Sequence, residues 1–156
     1  DALQRIKALR TEQNRGIEGK LMRIVFRIRA LDADVSLMER KVRRIGSGIG
    51  RLKNLIGSGK FKLAMTVASE LESRVSASFP ETFELEARAK RISQDLRLLL
   101  KELKNIDNPK VKTRVKKEIM KNIKRVSVAR TRVRSQRTRL ERYRNLLNKL
   151  KKGIKP

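Results

Sequence analysis

The sequence has 156 residues, of which 42 are Lys or Arg and 16 are Asp or Glu, so its formal net charge is +26. A charge of this size destabilises a compact fold by self-repulsion, which predicts a polyanionic partner. The absence of Cys and His excludes disulfides, thiolate and imidazole metal sites, and histidine general bases. We therefore expect a non-enzymatic protein with no catalytic residues, no metal, no cofactor and no small-molecule substrate.

The apolar content also limits the class of protein. Hydrophobic residues make up 38% of the chain, which is enough for one domain with a modest core. No apolar run approaches the roughly 18 residues of a membrane span, and the first residues do not have the pattern of a signal peptide. We expect a soluble or peripheral protein. The chain opens on Asp1 rather than Met, as either a processed or a trimmed terminus would.

The first predicted element is a long helix. From Ile17 onward, apolar residues recur with alternating steps of four and three, the heptad pattern of a helix that packs along one stripe. The members of this seam are Ile17, Leu21, Ile24, Ile28, Leu31, Val35, Met38, Val42, Ile45, Ile49, Leu52 and Ile56. Each glycine of GSGIG, residues 46–50, costs about 1 kcal/mol relative to Ala inside a helix. We expect either a bend or an unusually close contact there.

A turn and a second seam follow. IGSGK, residues 56–60, predicts the turn because glycine adopts positive φ readily. The second seam starts at Ala64, lapses at Ser78 and Thr82, and resumes in phase from Leu85 to Ile106. Pro80 lacks an amide and clashes with the preceding turn, which predicts that one helix ends there and another begins, with Ser78 as its cap. Together these features predict a long antiparallel helical hairpin with a broken second arm.

The last predicted element is a highly basic helix. NIDNPK, residues 105–110, marks the boundary: residues 1–108 hold 23 basic and 14 acidic side chains, whereas residues 109–156 hold 19 and 2. A third seam comprises Val115, Ile119, Ile123, Val126, Ala129, Val133, Gln136, Leu140, Tyr143, Leu147 and Leu150. The sequence thus predicts an all-α fold, with a hairpin core over 1–108 and a basic C-terminal helix over 109–156 that frays after Lys151, together forming one structural unit.

Arginines line both edges of this third seam. SVARTRVRSQRTRLERYR, residues 127–144, contains seven arginines and one acid. The heptad phase places arginines just before the first core position and just after the second, where coiled coils normally carry charges that meet a partner. The predicted nucleic-acid-binding residues are Arg125, Arg130, Arg132, Arg134, Arg137, Arg139, Arg142, Arg144, Lys149, Lys151 and Lys152.

The alternative is that these arginines are structural. Acids on the returning arm of the hairpin are candidate partners: Glu72, Glu81, Glu84, Glu86, Asp95 and Glu102. Such pairing cannot absorb the excess, because residues 1–108 already carry a net charge of +9. A merely solvated basic face would be expected to balance the two signs in networks, which this chain does not do.

Magnitude and composition favour double-stranded nucleic acid as the partner. Duplex DNA carries one charge per roughly 1.7 Å of axis, so 26 positive charges match about 13 base pairs. Contacts to phosphate carry no sequence information. Aromatic residues are only 3% of the chain, which disfavours the stacking platforms of single-strand binders, and Tyr143 is expected at the edge of the core. Whether the duplex is DNA or RNA stays open at this point.

Two segments of the predicted hairpin resemble the ESCRT-III membrane-remodelling family, including its archaeal cell-division members. GKFKLAMTVASELESR, residues 59–74, is similar to the opening of that family's second helix, and LEARAKRI, residues 85–92, is similar to a segment of the archaeal members. The resemblance covers residues 20–100 and implies a polymer whose basic face lies on anionic lipid. Pro80 and the basic C-terminal portion depart from the family's pattern.

In composition and all-helical architecture, the chain also resembles the nucleocapsid and coat proteins of archaeal filamentous double-stranded DNA viruses. The resemblance implies subunits that package DNA in a virion filament, through self-association or with a homologous second subunit. Our first hypothesis is therefore non-enzymatic, sequence-independent packaging of double-stranded nucleic acid, with DNA favoured, by a polymerising coat protein through contacts of Arg and Lys with phosphate. The alternative is an ESCRT-III-like polymer on anionic membrane, and the third is a ribosomal or other RNA-binding protein. Outside a virion, we expect a cytoplasmic protein associated with nucleic acid or membrane.

Overall fold

The structure, a computed structural model, describes the backbone of residues 1–154 and the side chains of residues 1–8 and 16–154. Its elements are α1 (Ala2–Gly57), α2 (Phe61–Glu102), a 3-10 helix (Leu103–Asn105) and α3 (Pro109–Lys152). No strand occurs within residues 1–154. The all-α prediction is confirmed. The predicted end of the third helix lies one residue before the observed one, and the last two residues of KGIKP lie outside the described range.

The chain forms two compact units, and each unit contains part of α1, α2 and α3. Unit 1 comprises Asp1–Asp32 and Ala87–Arg130, and unit 2 comprises Ala33–Glu86 and Thr131–Pro156. Unit 1 holds 23 basic and 8 acidic residues, and unit 2 holds 19 and 8. The positive charge is concentrated at the end of the sequence, but the fold distributes it over both units.

The predicted seams form the cores of the two units. In unit 1 the fully buried side chains include Ile28 and Leu31 of α1, Leu96 of α2 and Ile119 of α3. In unit 2 they include Val35, Val42, Ile45, Leu52, Val75, Leu140 and Leu147. Three residues that the seams placed in the core are only half-buried: Ile56, Ile123 and Leu150. Asn122 is buried in place of Ile123. The Asn122 amide donates a hydrogen bond to the carbonyl oxygen of Glu118 over 2.8 Å, which lets a polar residue occupy the seam.

The glycines of GSGIG allow close packing inside unit 2, and α1 continues through them. A Cβ at Gly46 would lie 2.6 Å from the hydroxyl oxygen of Tyr143, and a Cβ at Gly48 would lie 2.5 Å from a methyl carbon of Leu71. Tyr143 is half-buried, as expected of a core-edge residue. A Cβ at Gly50 would meet no atom within 4 Å beyond its chain neighbours and the backbone of its own helix. Two of the three glycines therefore accommodate close neighbours.

The predicted break at Pro80 is wrong, because α2 contains Pro80 in its interior. Ser78 and Thr82, where the seam was expected to lapse, are buried at core positions. The Ser78 hydroxyl donates to the carbonyl of Arg74 over 2.8 Å, and the Thr82 hydroxyl donates to the carbonyl of Phe79 over 2.6 Å. Ser78 is therefore not a cap. With these hydroxyls satisfied within α2, the core packing on either side outweighs a proline penalty of about 3 kcal/mol.

Two local signals set the ends of the helices. Gly59 has φ +71°, and the Lys60 amide donates to the carbonyl of Leu55 over 3.0 Å, which closes α1 with the expected glycine turn. At the start of α3, the side-chain oxygen of Asn108 accepts from the amides of Lys110 at 3.0 Å and Val111 at 3.3 Å. Pro109 occupies the first helical position, where its missing amide costs nothing.

Candidate nucleic-acid interface

Cations on one edge of α1 pair with acids of α2 inside each unit. In unit 1, Lys20 lies 3.0 Å from Glu102, and Arg27 lies 2.5 Å from Asp95. In unit 2, Lys41 lies 3.4 Å from Glu81. Residue numbers in unit 1 rise along α1 as they fall along α2, so these two segments run antiparallel. Three of the acids that the alternative interpretation offered as partners for the arginines of the third helix are thus paired with α1 instead.

Acids on the other edge of α1 pair with arginines of α3. In unit 1, Glu18 pairs with Arg114, and Asp32 lies 3.1 Å from Arg125. In unit 2, Glu39 pairs with Arg132, whose guanidinium also donates to the Ser36 hydroxyl over 3.2 Å. Asp32 and Glu39 are seven residues apart on α1, as Arg125 and Arg132 are on α3, so in these two pairs the acidic edge of the α1 seam faces the basic edge of the α3 seam. Arg114 lies outside this heptad register. The sequence analysis did not identify these acids as partners, although each of them directly follows a residue of the first seam, at its edge.

Glu86 is at the centre of a polar cluster in unit 2. Its carboxylate lies 2.6 Å from Arg137 and 3.1 Å from Arg134. The side chains of Glu86 and Arg137 are 19% and 17% exposed. Arg137 also donates to the Thr82 hydroxyl over 3.1 Å and lies 4.0 Å above the centre of the Phe83 ring. Arg137 is therefore enclosed by its own fold.

Burial and these neighbours act in opposite directions on the pKa of Glu86. Burial raises the pKa because it disfavours the charged form. Hydrogen bonds from Arg137 and Arg134, together with their positive charges, lower it, and the result is a pKa below the ordinary value for Glu. The carboxylate is thus ionised at neutral pH and holds both guanidinium groups in place.

The structure divides the predicted binding residues into two groups. The first group is engaged within a unit: Arg125, Arg132, Arg134 and Arg137 pair as above, and Lys151 lies 3.0 Å from Glu72. Arg130 belongs to the same group, because it is half-buried and also has an interaction within the described part of the chain. The second group is exposed, and none of its members has an ion pair with a described side chain: Arg139, Arg142, Arg144, Lys149 and Lys152. Arg144 lies 4.9 Å above the Phe79 ring.

The outer face of α3 in unit 1 carries cations that the sequence analysis did not select. Four lysines are exposed there and have no ion pair within the described part of the chain: Lys110, Lys117, Lys121 and Lys124. We call these four the lysine row. They occupy the heptad positions farthest from the seam, whereas all the predicted arginines except Arg134 and Arg142 flank the seam. The heptad pattern could have identified these lysines, because residues on the side of a helix opposite its apolar seam face solvent.

The comparisons supply no family for this arrangement. No protein-family model, no characterised protein and no solved structure matches the chain. Over the described helices, none is both long and apolar enough to cross a bilayer. Among the side chains that the structure describes, no cluster of three or more acids forms a metal-binding group.

Proposed function

We propose that the chain binds and packages double-stranded nucleic acid, with DNA favoured, through non-enzymatic contacts that do not depend on sequence. One observation carries the proposal: in unit 1, the outer face of α3 presents the lysine row, whose four members are exposed and have no ion pair with any described side chain. Lysine is a compact, mobile point charge, which suits contacts to phosphate that need no fixed geometry. The role proposed is that of a polymerising coat or nucleocapsid protein.

The spacing of the lysine row supports a linear polyanion as the ligand. Along a helix with a rise of 1.5 Å per residue, Lys117, Lys121 and Lys124 lie at intervals of about 6 and 4.5 Å. A single strand of a DNA duplex carries one phosphate per roughly 3.4 Å of axis. The two charge densities are of the same order, so several lysines of one row can contact one strand.

Unit 2 supports the same proposal with a second set of cations. Arg139, Arg142, Arg144, Lys149 and Lys152 are exposed there. The neighbouring arginines that pair with Glu39 and Glu86 hold α3 to the rest of the unit. The predicted basic helix thus has two functions, in which paired arginines fix its position and unpaired cations are left for phosphate.

The test is the salt dependence of binding to duplexes. We expect affinity for DNA duplexes of unrelated sequence to be equal, and its logarithm to fall by about 0.9 per phosphate contact for each decade of salt. Duplex RNA and vesicles of anionic lipid are measured in the same buffer. Preferential binding to the vesicles, with little affinity for DNA at moderate salt, would favour the ESCRT-III-like alternative. Preference for duplex RNA would favour the ribosomal class.

A further inference from the structure

An apolar groove opens on unit 1 between α1 and the beginning of α3. It has a volume of about 380 Å³. Its apolar lining is Leu21, Met22, Val25, Phe26 and Val115, and its charged rim is Glu18, Arg29, Arg114 and Glu118. Met22 and Phe26 are 62% and 58% exposed. Since each Å² of apolar surface gains about 25 cal/mol on burial, clustered large apolar side chains of this kind mark an interaction surface.

A second apolar surface lies at the start of the same helix. Residues 1–8 are all exposed, and we call this segment the arm. Leu3 and Ile6 are 62% and 46% exposed, and their spacing of three puts them on one face of the helix. The arm cannot fill the groove of its own chain, because α1 is continuous and Ile6 and Met22 are about 24 Å apart along its axis.

Charge selects a basic occupant for the groove. On the rim, Glu18 pairs with Arg114, and Arg29 lies 5.7 Å above the Phe26 ring. Glu118 is exposed and has no ion pair with any described cation, in a chain with 42 Lys and Arg. The arm is itself basic, because it carries Arg5 and Lys7 against one acid, Asp1. A nucleic acid would be repelled by Glu118, whereas a basic arm is attracted to it.

From these complementary surfaces, we propose that the arm of one copy docks in the groove of a second copy, with Leu3 and Ile6 against Met22 and Phe26. The inference rests on the polymerising part of the proposed function and not on DNA binding. At 100° per residue, the arm stripe and the exposed groove residues point in directions roughly 150° apart around α1. A two-fold pair of α1 helices therefore cannot bury both surfaces at once. The contact is head-to-tail, and its repetition gives an open polymer.

The net charge sets the conditions for assembly. Two copies that each carry +26 repel one another at low salt. At about 1 M salt the Debye length falls to about 3 Å, so repulsion is screened while apolar contacts persist. A bound polyanion neutralises the same repulsion. We expect the protein to be monomeric at low salt, and to polymerise either with duplex DNA or at high salt without it.

The experiment measures polymer length by sedimentation at about 1 M salt without nucleic acid. The arm variant is Leu3→Asp with Ile6→Asp, and the groove variant is Met22→Asp with Phe26→Asp. Each variant alone is expected to stay monomeric. An equimolar mixture is expected to give heterodimers and no longer species, because only one intact arm can meet one intact groove. Leu98→Asp is the control, since Leu98 is 56% exposed outside the groove.

The charged contact has its own matched pair of variants. At the lowest salt concentration at which the parent protein polymerises without DNA, where charges are screened least, Glu118→Lys is expected to weaken assembly several-fold. Glu141→Lys, at another exposed acid with no described ion pair, is expected to leave assembly unchanged there. Polymers of normal length from the arm or groove variant would overturn the proposal, as would a parent protein that stays monomeric at every salt concentration. Circular dichroism confirms that each variant is folded. Assembly at high salt without any DNA affinity would instead overturn the proposed function alone.

Discussion

Replacement of Glu86 by Gln tests whether the arginines of α3 in unit 2 are structural. The carboxylate and the Arg137 guanidinium are 2.6 Å apart, and each side chain is less than a fifth exposed. Breaking a buried pair costs about 3–5 kcal/mol, and an exposed pair contributes at most about 1 kcal/mol. This pair is intermediate, so we expect a loss of about 2 kcal/mol in the free energy of unfolding, or roughly 4–8 °C in melting temperature.

The assay is urea unfolding followed by circular dichroism, with Glu84→Gln as the matched control. Glu84 lies two residues away on α2, is exposed, and has no ion pair among the described side chains. Its replacement is expected to change stability by less than about 0.5 kcal/mol. Equal stabilities for the two variants would refute the conclusion that Glu86 holds Arg137 and Arg134.

The same variant has a defined pH dependence. Because the pKa of Glu86 is lowered in the folded protein, its contribution to stability is fully present above the unfolded value of about 4.3. The contribution is lost as the pH falls through the lower folded pKa, where the carboxyl becomes neutral as Gln is. The difference in stability between the parent and Glu86→Gln should therefore be largest near neutral pH and should disappear at acidic pH. A difference that does not change with pH would contradict this account.

Three further predictions concern binding and helix continuity. Replacement of Lys117, Lys121 and Lys124 by Gln should make the slope of log DNA affinity against log salt concentration shallower by about 2.7. The stability of the protein should not fall. An unchanged slope in binding titrations would exclude the row from the interface. In thermal unfolding, Gly50→Ala should raise the free energy of unfolding by about 1 kcal/mol. Gly48→Ala should raise it by less, because the added Cβ meets Leu71. Equal increases for the two variants would contradict the close packing at Gly48. Pro80→Ala should stabilise by about 2 kcal/mol, since the helix penalty of about 3 exceeds the benefit of proline to the unfolded chain of up to about 1. A loss of stability on urea unfolding would show that the fold requires the proline.

Local patterns in the sequence determined the helices and most of the core. Seam spacing is a property of one helix and its neighbouring turns, so it located Leu31, Val42 and Leu140 before any partner was known. The glycine turn at Gly59 was equally local. The same reasoning failed at Pro80 and Ile123. At both sites the neighbouring polar residues bond within their own helix, and core packing on either side overrides the local preference.

The sequence by itself also determined that a large positive excess would remain, because 16 acids cannot neutralise 42 cations under any pairing. Only the tertiary structure decided which cations are paired. An ion pair depends on the register between two helices. The acids Glu18, Asp32 and Glu39 of α1 pair with arginines of α3, and the pattern of either helix alone does not show which arginine each acid meets. Register therefore makes several seam-flanking arginines structural, and leaves the lysines on the far side of α3 in solvent.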